Sequence, residues 1–356
     1  MPVPAAHPLV PLPPQPPGVP WPTGAWPTGP VPEGVALDPL LDAAFDDPGM
    51  ATTYAVAVVQ GGRLLAERYG GELEHWDRPV EPVGPGTGLL SWSMAKSVLH
   101  AAVGVLVGDG RLRTEDPAPV TAWQGDDDPR RAVTLEDLLD MRDGLAWAED
   151  YVDAGSSDVI EMLFGSGQDD VAGFAADRAL AAAPGERFNY SSGTSNVVSS
   201  VVAGVVGRGD DYEAFLRDRL FGPIGMTSAR PRLDATGTWV ASSYLYATAQ
   251  DWARFGTLYL RDGTWDGRRI LPEGWVDHGR RVRSVDEEDG DLYGAHWWVE
   301  HDDLGTFTAR GYEGQSVAIC PALDLVVVRL GRTPEERKEA VARWRSDVVA
   351  AFAAAR

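Results

Sequence analysis

The sequence predicts a mixed α/β (α+β) fold: one antiparallel sheet flanked by terminal helices, with a mostly helical region inserted between its first and last strands. Three observations point there. Strand patterns stand at both ends of the chain, helix patterns with their own start signals fill the middle, and a charged amphipathic stretch closes the chain. The 356 residues provide ample core for one large domain or two intertwined ones. The expected division is a Pro-rich leader over 1–34, a sheet domain built from 35–110 and 290–356, and a mostly helical domain over 111–289.

The leader, MPVPAAHPLVPLPPQPPGVPWPTGAWPTGPVPEG, has neither a basic n-region nor an apolar h-region and does not read as a signal peptide. Its proline density forces polyproline II or irregular extended chain, and Trp21 and Trp26 suggest that part of it lies against the body of the protein. Next, TYAVAVVQGGRLLAERYG reads as two strands joined at Gly61-Gly62, a hairpin signal. In the middle, VTLEDLLDMRDG starts with Thr134 and Asp137 in capping-box spacing, and TAQDWARFGTLYLRDG repeats the device with Thr248 and Asp251. TSNVVSSVVAGVVGRG and DYEAFLRDRLFGPIGM supply two more helices. Towards the end, GTFTARGYEGQSVAICPALDLVVVRLG reads as three strands separated by turns, and TPEERKEAVARWRSDVVAAFAAA as the closing helix.

Composition narrows the function classes. A net charge of −22, spread along the chain, disfavours nucleic acid and anionic membranes as partners. Asp126-Asp127-Asp128 and Asp286-Glu287-Glu288-Asp289 read as solvated loops. The single cysteine, Cys320, forbids an intrachain disulfide, points to the cytoplasm, and lies in an apolar run as a structural thiol. No run reaches the length of a membrane span. The six histidines show no metal-ligand spacing, and Gly84, Gly86 and Gly88 precede no βαβ unit, so neither a metal nor a nucleotide cofactor is expected. Nothing in the sequence sets an oligomeric state.

One stretch carries chemistry: LLSWSMAKSVLHAAVGVLVGDGRL, Leu89 to Leu112. Ser93 and Lys96 are three apart, so a helix puts them on one face. The run from Val98 to Val107 reads as a helix buried on nearly all sides, and a lysine at its mouth is desolvated, which favours the neutral amine. Free N–H groups and the helix dipole at the same end favour negative charge near the serine. A serine beside a base able to take its proton is the arrangement of an activated nucleophile. A second stretch, APGERFNYSSGTSNVVSSVV, sets Tyr190 in a loop just before another apolar helix.

Together these residues resemble the penicillin-recognising serine hydrolases of the beta-lactamase family, with S-x-x-K, a downstream Y-x-N-like element and a K-T-G-like strand. The likeness runs from about Val35 to the end and includes LEDLLDMRDGL, FGPIGMTSA, YATAQDWARFGTLYL and YGAHWWV. VPWPTGAWPTG and EDYVDAGS look most like the branch of aminohexanoate-dimer hydrolases and related esterases. The resemblance implies a beta-lactamase-like fold and a small ester or amide substrate. It implies Ser93 as acyl-accepting nucleophile, Lys96 as its proton partner, and Tyr190 as general base and then acid. It also implies an oxyanion hole from the Ser93 N–H and that of Gln315, with close backbone approach at Gly314. Tyr151 matches a tyrosine that sits over the site and bonds the substrate amide. Trp92 and the Trp297-Trp298 pair would line or support the pocket.

Two departures bear on substrate. Tyr190-Ser191-Ser192 puts a hydroxyl, Ser192, where the family has the amide that helps hold a β-lactam side chain. Reading Tyr312-Glu313-Gly314 as the K-T-G element puts a glutamate near the family's cation, so an anionic β-lactam is expected to meet repulsion. The alternatives are a catalytically silent binding protein, against which the joint presence of Ser93, Lys96 and Tyr190 argues, and a D-amino-acid peptidase of the same fold, whose substrate amine Glu313 would suit.

Overall fold

The N-terminal hairpin forms as its turn residues require: β1 (Thr52–Gln60) and β2 (Arg63–Tyr69) pair antiparallel on either side of Gly61-Gly62. The computed structural model describes residues 9–74, 79–151 and 155–356. Six further strands complete one antiparallel sheet: β3 (Ser284–Val285), β4 (Leu292–Tyr293), β5 (Trp298–Val299), β6 (Phe307–Gly311), β7 (Gln315–Cys320) and β8 (Leu325–Arg332). Their spatial order is β3-β4-β5-β6-β7-β8-β1-β2. Strands from the two ends of the chain therefore meet inside the sheet, one strand from its β2 edge, where β1 pairs with β8 from Thr52↔Arg332 to Gln60↔Leu325. Strands β3 to β5 carry only two residues each, too short to show the alternation by which a strand is read from sequence.

The period of two decides which face each central residue buries. Val56, Val58, Ala318, Leu325 and Val327 pack against α1 (Leu37–Asp46) and the C-terminal helix, together with Val341, Trp344, Val348 and Phe352. Ala55, Ala57, Val59, Val317, Ile319, Val326 and Val328 belong to the larger core on the opposite face. There the sheet meets α2 (Met94–Gly108) and α4 (Ala249–Leu260), and α3 (Ser192–Val206) packs against α2, the residues of all three sharing that one core. The closing helix is α5 (Lys338–Ala354). Cys320 is buried in the α1/α5 layer.

The helix signals hold with one difference. Thr134 and Asp137 form the full capping box of the short helix Leu135–Leu139. At α4 only half of it forms: Thr248 caps the Asp251 N–H, but the Asp251 carboxylate turns to Ser228 and to Arg254 at 2.6 Å. The leader, from residue 9 on, lies along the body. Trp21 packs on Trp265 at 5.0 Å between centroids, Trp265 Nε1 donates to Thr23 at 2.7 Å, and Arg254 Nε donates to the Pro22 carbonyl at 2.7 Å. Bonds between Leu64 and the Pro27–Gly29 stretch then tie the leader to β2, covering a sheet edge that would otherwise be open. Among the described residues no helix is long and apolar enough to cross a membrane.

Candidate active site

Ser93 stands at the N-terminal end of α2, presented by a turn with one strained residue. Trp92 has φ 45°, a left-handed conformation that costs a non-glycine residue about 1–3 kcal/mol. The turn is held on both sides. The Ser91 N–H donates to the Leu245 carbonyl at 2.9 Å and its hydroxyl reaches the Ser243 carbonyl at 3.2 Å, while Trp92 Nε1 donates to Glu313 Oε2 at 2.9 Å. Trp92 thus braces the nucleophile turn and is not among the residues lining the cavity at Ser93; it faces a neighbouring groove.

Lys96 is 2% exposed. Its Nζ makes three contacts, each of 3.0 Å: to Ser93 Oγ, to Ser192 Oγ and to the Ser242 carbonyl. Burial pulls the amine down from its ordinary 10.5 to about 8, and the charge of Glu149 partly opposes this. The Ser242 carbonyl is itself fixed, because Asn196 on α3 accepts from the Ser242 N–H at 3.1 Å and donates to its hydroxyl at 3.1 Å.

Tyr190 lies immediately before α3, whose N-terminus Ser191 caps by accepting the Thr194 N–H. Its ring centroid is 4.9 Å from Lys96 Nζ, and it packs edge-on to Tyr293 and tilted on Trp298. Burial and then the Glu149 charge raise its pKa, which a hydrogen bond with Ser93 eases. The resting group is therefore a phenol. Tyr151 stacks on Tyr312 at 5.0 Å and donates to Glu149 Oε1 at 2.6 Å. The residues that follow it in EDYVDAG, 152–154, lie outside the described residues.

A cavity of about 450 Å³ opens over Ser93, with Tyr151, Tyr190 and Trp298 on its walls. Six carboxylates and three cations line it, and several are paired: Arg310 with Asp291 and Glu300, Arg345 with Glu300, Lys338 with Asp289 and Glu335.

Several expectations change. The glycine that approaches Ser93 is Gly311 and not Gly314. A Cβ on Gly311 would stand 2.3 Å from the Ser91 carbonyl oxygen and 3.2 Å from the Ser93 nitrogen, whereas one on Gly314 would meet Arg329, Val341 and Thr333. Gln315 lies one strand farther from Ser93, paired across from Gly311, and its side-chain amide is locked to Gly331. The stretch beside the nucleophile is therefore Ala309-Arg310-Gly311, so the position read as Glu313 carries the cation Arg310, itself neutralised by Asp291 and Glu300. Ser192 is buried in the Lys96 network and does not line the cavity, and of the tryptophan pair only Trp298 lines it; Trp297 sits in the core against Phe255, Tyr259 and Phe307. Residues absent from the sequence reading are Glu149, Ser242 and Asn196. Only Glu149 had a local signal, an acid two residues from Tyr151; the other two reach the site through long-range packing.

A family model described as Beta-lactamase matches residues 41–352. The 6-aminohexanoate-dimer hydrolase of Paenarthrobacter ureafaciens is 29% identical over 307 residues, covering 80% of this chain and 73% of that protein. Among solved structures, a Bacillus anthracis protein provisionally named as a 6-aminohexanoate-dimer hydrolase superposes with a TM-score of 0.70 at 23% identity, covering 91% of this chain and 87% of that one. A penicillin-binding protein from Bacillus halodurans superposes with a TM-score of 0.67 at 20% identity, covering 87% and 99%. These structural likenesses concern the fold.

Proposed function

Since the chain belongs to the beta-lactamase family, we propose that it is a serine hydrolase that cleaves a small ester or amide through an acyl-enzyme, with Ser93, Lys96 and Tyr190 as its working groups. The observation that carries this is the buried amine of Lys96, 3.0 Å from Ser93 Oγ with its pKa lowered to about 8. Neutral Lys96 takes the Ser93 hydroxyl proton as Oγ bonds to the substrate carbonyl carbon. Tyr190, a phenol at rest, passes a proton to the departing oxygen or nitrogen as the carbonyl reforms, and Lys96 restores that proton. Water then attacks the acyl group by the same route in reverse. The developing oxyanion sits between the Ser93 N–H and the peptide that follows Gly311, the N–H of Tyr312, in place of Gln315. The substrate is a small molecule, no cofactor is needed, and the chain works in the cytoplasm.

Stoichiometric labelling by a fluorophosphonate, lost in Ser93→Ala, tests this reading against a silent binding protein. Short-chain p-nitrophenyl esters are expected to turn over far faster than nitrocefin, since Arg310 is matched by two carboxylates. The excess of carboxylates around the cavity favours a second reading, a D-amino-acid peptidase whose substrate carries a free amine. Cleavage of D-alanyl amides in preference to esters would select it.

A further inference from the structure

Glu149 is not required by the Ser-Lys-Tyr reading, yet four donors converge on it. Its Oε1 accepts from the Ser192 hydroxyl at 2.5 Å and from the Tyr151 hydroxyl at 2.6 Å. Its Oε2 accepts from the Ser192 backbone N–H at 2.9 Å and from Trp147 Nε1 at 2.5 Å. An ionised carboxylate only accepts, and a serine hydroxyl has a single hydrogen to give. Once Ser192 gives it to Glu149, its oxygen can only accept from Lys96. The Ser242 carbonyl, the second neighbour of Nζ, also only accepts. A neutral amine has two hydrogens, and these two acceptors take both. Its lone pair is left for the third neighbour, the Ser93 hydroxyl.

We infer that Glu149 is a positioning residue: by setting the direction of the Ser192 hydrogen bond it aims the lone pair of neutral Lys96 at the Ser93 proton. Without that anchor, Ser192 is free to turn and donate to the amine, competing with Ser93 for the lone pair. The negative charge of Glu149 also favours protonated Lys96 and so limits how far burial lowers it. The other titratable groups at this point are Tyr190, Tyr151 and Tyr293, all held as phenols, and His296, which stays neutral to about pH 3. The inference rests on reading Ser93 as nucleophile and Lys96 as its base.

The chain contains two lysines, Lys96 and Lys338, so lysine labelled with carbon-13 at Cε resolves them. Lys338, paired with Asp289 and Glu335 and titrating above its ordinary value, is the internal reference. In the wild type the Lys96 resonance is expected to titrate near pH 8. In Glu149→Gln it should titrate about half a unit lower or more: the bonds of 3.0 and 2.5 Å through Ser192 Oγ put the carboxylate oxygen no farther than about 5.5 Å from Nζ, and removing a unit charge at that limit gives such a shift even in bulk water. The rising limb of kcat/KM on p-nitrophenyl acetate should move with it, and its plateau should fall about tenfold with KM within about twofold, the loss expected when one aligned hydrogen bond goes. Ser192→Ala keeps the charge but loses the orientation: its limb should stay near the wild-type pH while its plateau falls. The inference is overturned if both plateaus stay within twofold of wild type while Ser93→Ala is inactive, whether or not Lys96 titrates differently in Glu149→Gln. Should Ser93→Ala keep wild-type turnover, the nucleophile reading itself fails, and this inference with it.

Discussion

Gly311→Ala tests where the oxyanion is held. Gly311 has φ −136° and ψ 157°, extended backbone that alanine adopts freely, so the substitution probes space alone. The new methyl carbon would stand 2.3 Å from the Ser91 carbonyl oxygen, a main-chain atom in the turn that presents Ser93. Reaching ordinary contact needs a shift of about 1 Å between β6 and that turn, and misplacement of this size at a reacting centre costs about 10² in rate. Losing an oxyanion donor costs about 10²–10³. The expected result is a fall in kcat of about 10²–10³ on p-nitrophenyl esters, with overpacking lowering stability by about 1–3 kcal/mol in denaturant unfolding. Gly314→Ala is the comparison. Gly314 has φ 78°, and its methyl would press on Arg329 Nη1 at 2.7 Å, away from the nucleophile. It should destabilise by a similar amount and leave kcat within about fivefold. A folded Gly311→Ala variant with near-wild-type kcat, or a larger kcat loss in Gly314→Ala, would refute the placement.

Activity should rise with pH through about 8, because Lys96 accepts a proton only as the neutral amine and burial sets its pKa there; below that limb kcat/KM should drop about tenfold per pH unit, and a flat profile from pH 6 to 9 would contradict Lys96 as the base. Tyr151→Phe should keep esterase activity within a few-fold and lower amidase activity by up to about tenfold, the worth of one neutral hydrogen bond. An amide nitrogen needs protonation to leave where an ester oxygen does not, and equal losses on both substrates would assign Tyr151 to packing on Tyr312.

What was readable from the sequence is what depends on neighbours in the chain. The spacing of Ser93 and Lys96, the apolar run after them, the caps at Thr134 and Thr248, and the Gly61-Gly62 hairpin are local, because helix faces, caps and turns are set by residues a few positions apart. The resemblance carried Tyr190 to its place before α3 for the same reason: the loop and its cap are contiguous. The two-residue strands β3 to β5 escaped, since their pairing comes from neighbours across the sheet and not from any pattern of their own.

Register around the nucleophile was decided only by the tertiary structure. Gly311 and Gly314 are three residues apart and equally glycine in sequence; which one approaches Ser93 follows from where β6 ends against the Ser91 carbonyl. Ser192 and Ser242 are 96 and 146 residues from Lys96, and they meet it, with Glu149 behind Ser192, because α3 and the turn at Ser242 pack against α2 in one core. The sequence by itself determined that a buried lysine faces a serine. Packing decided how deeply that lysine is buried and which acceptors surround it: burial, partly opposed by the Glu149 charge, sets its pKa, and the acceptors set the direction of its lone pair.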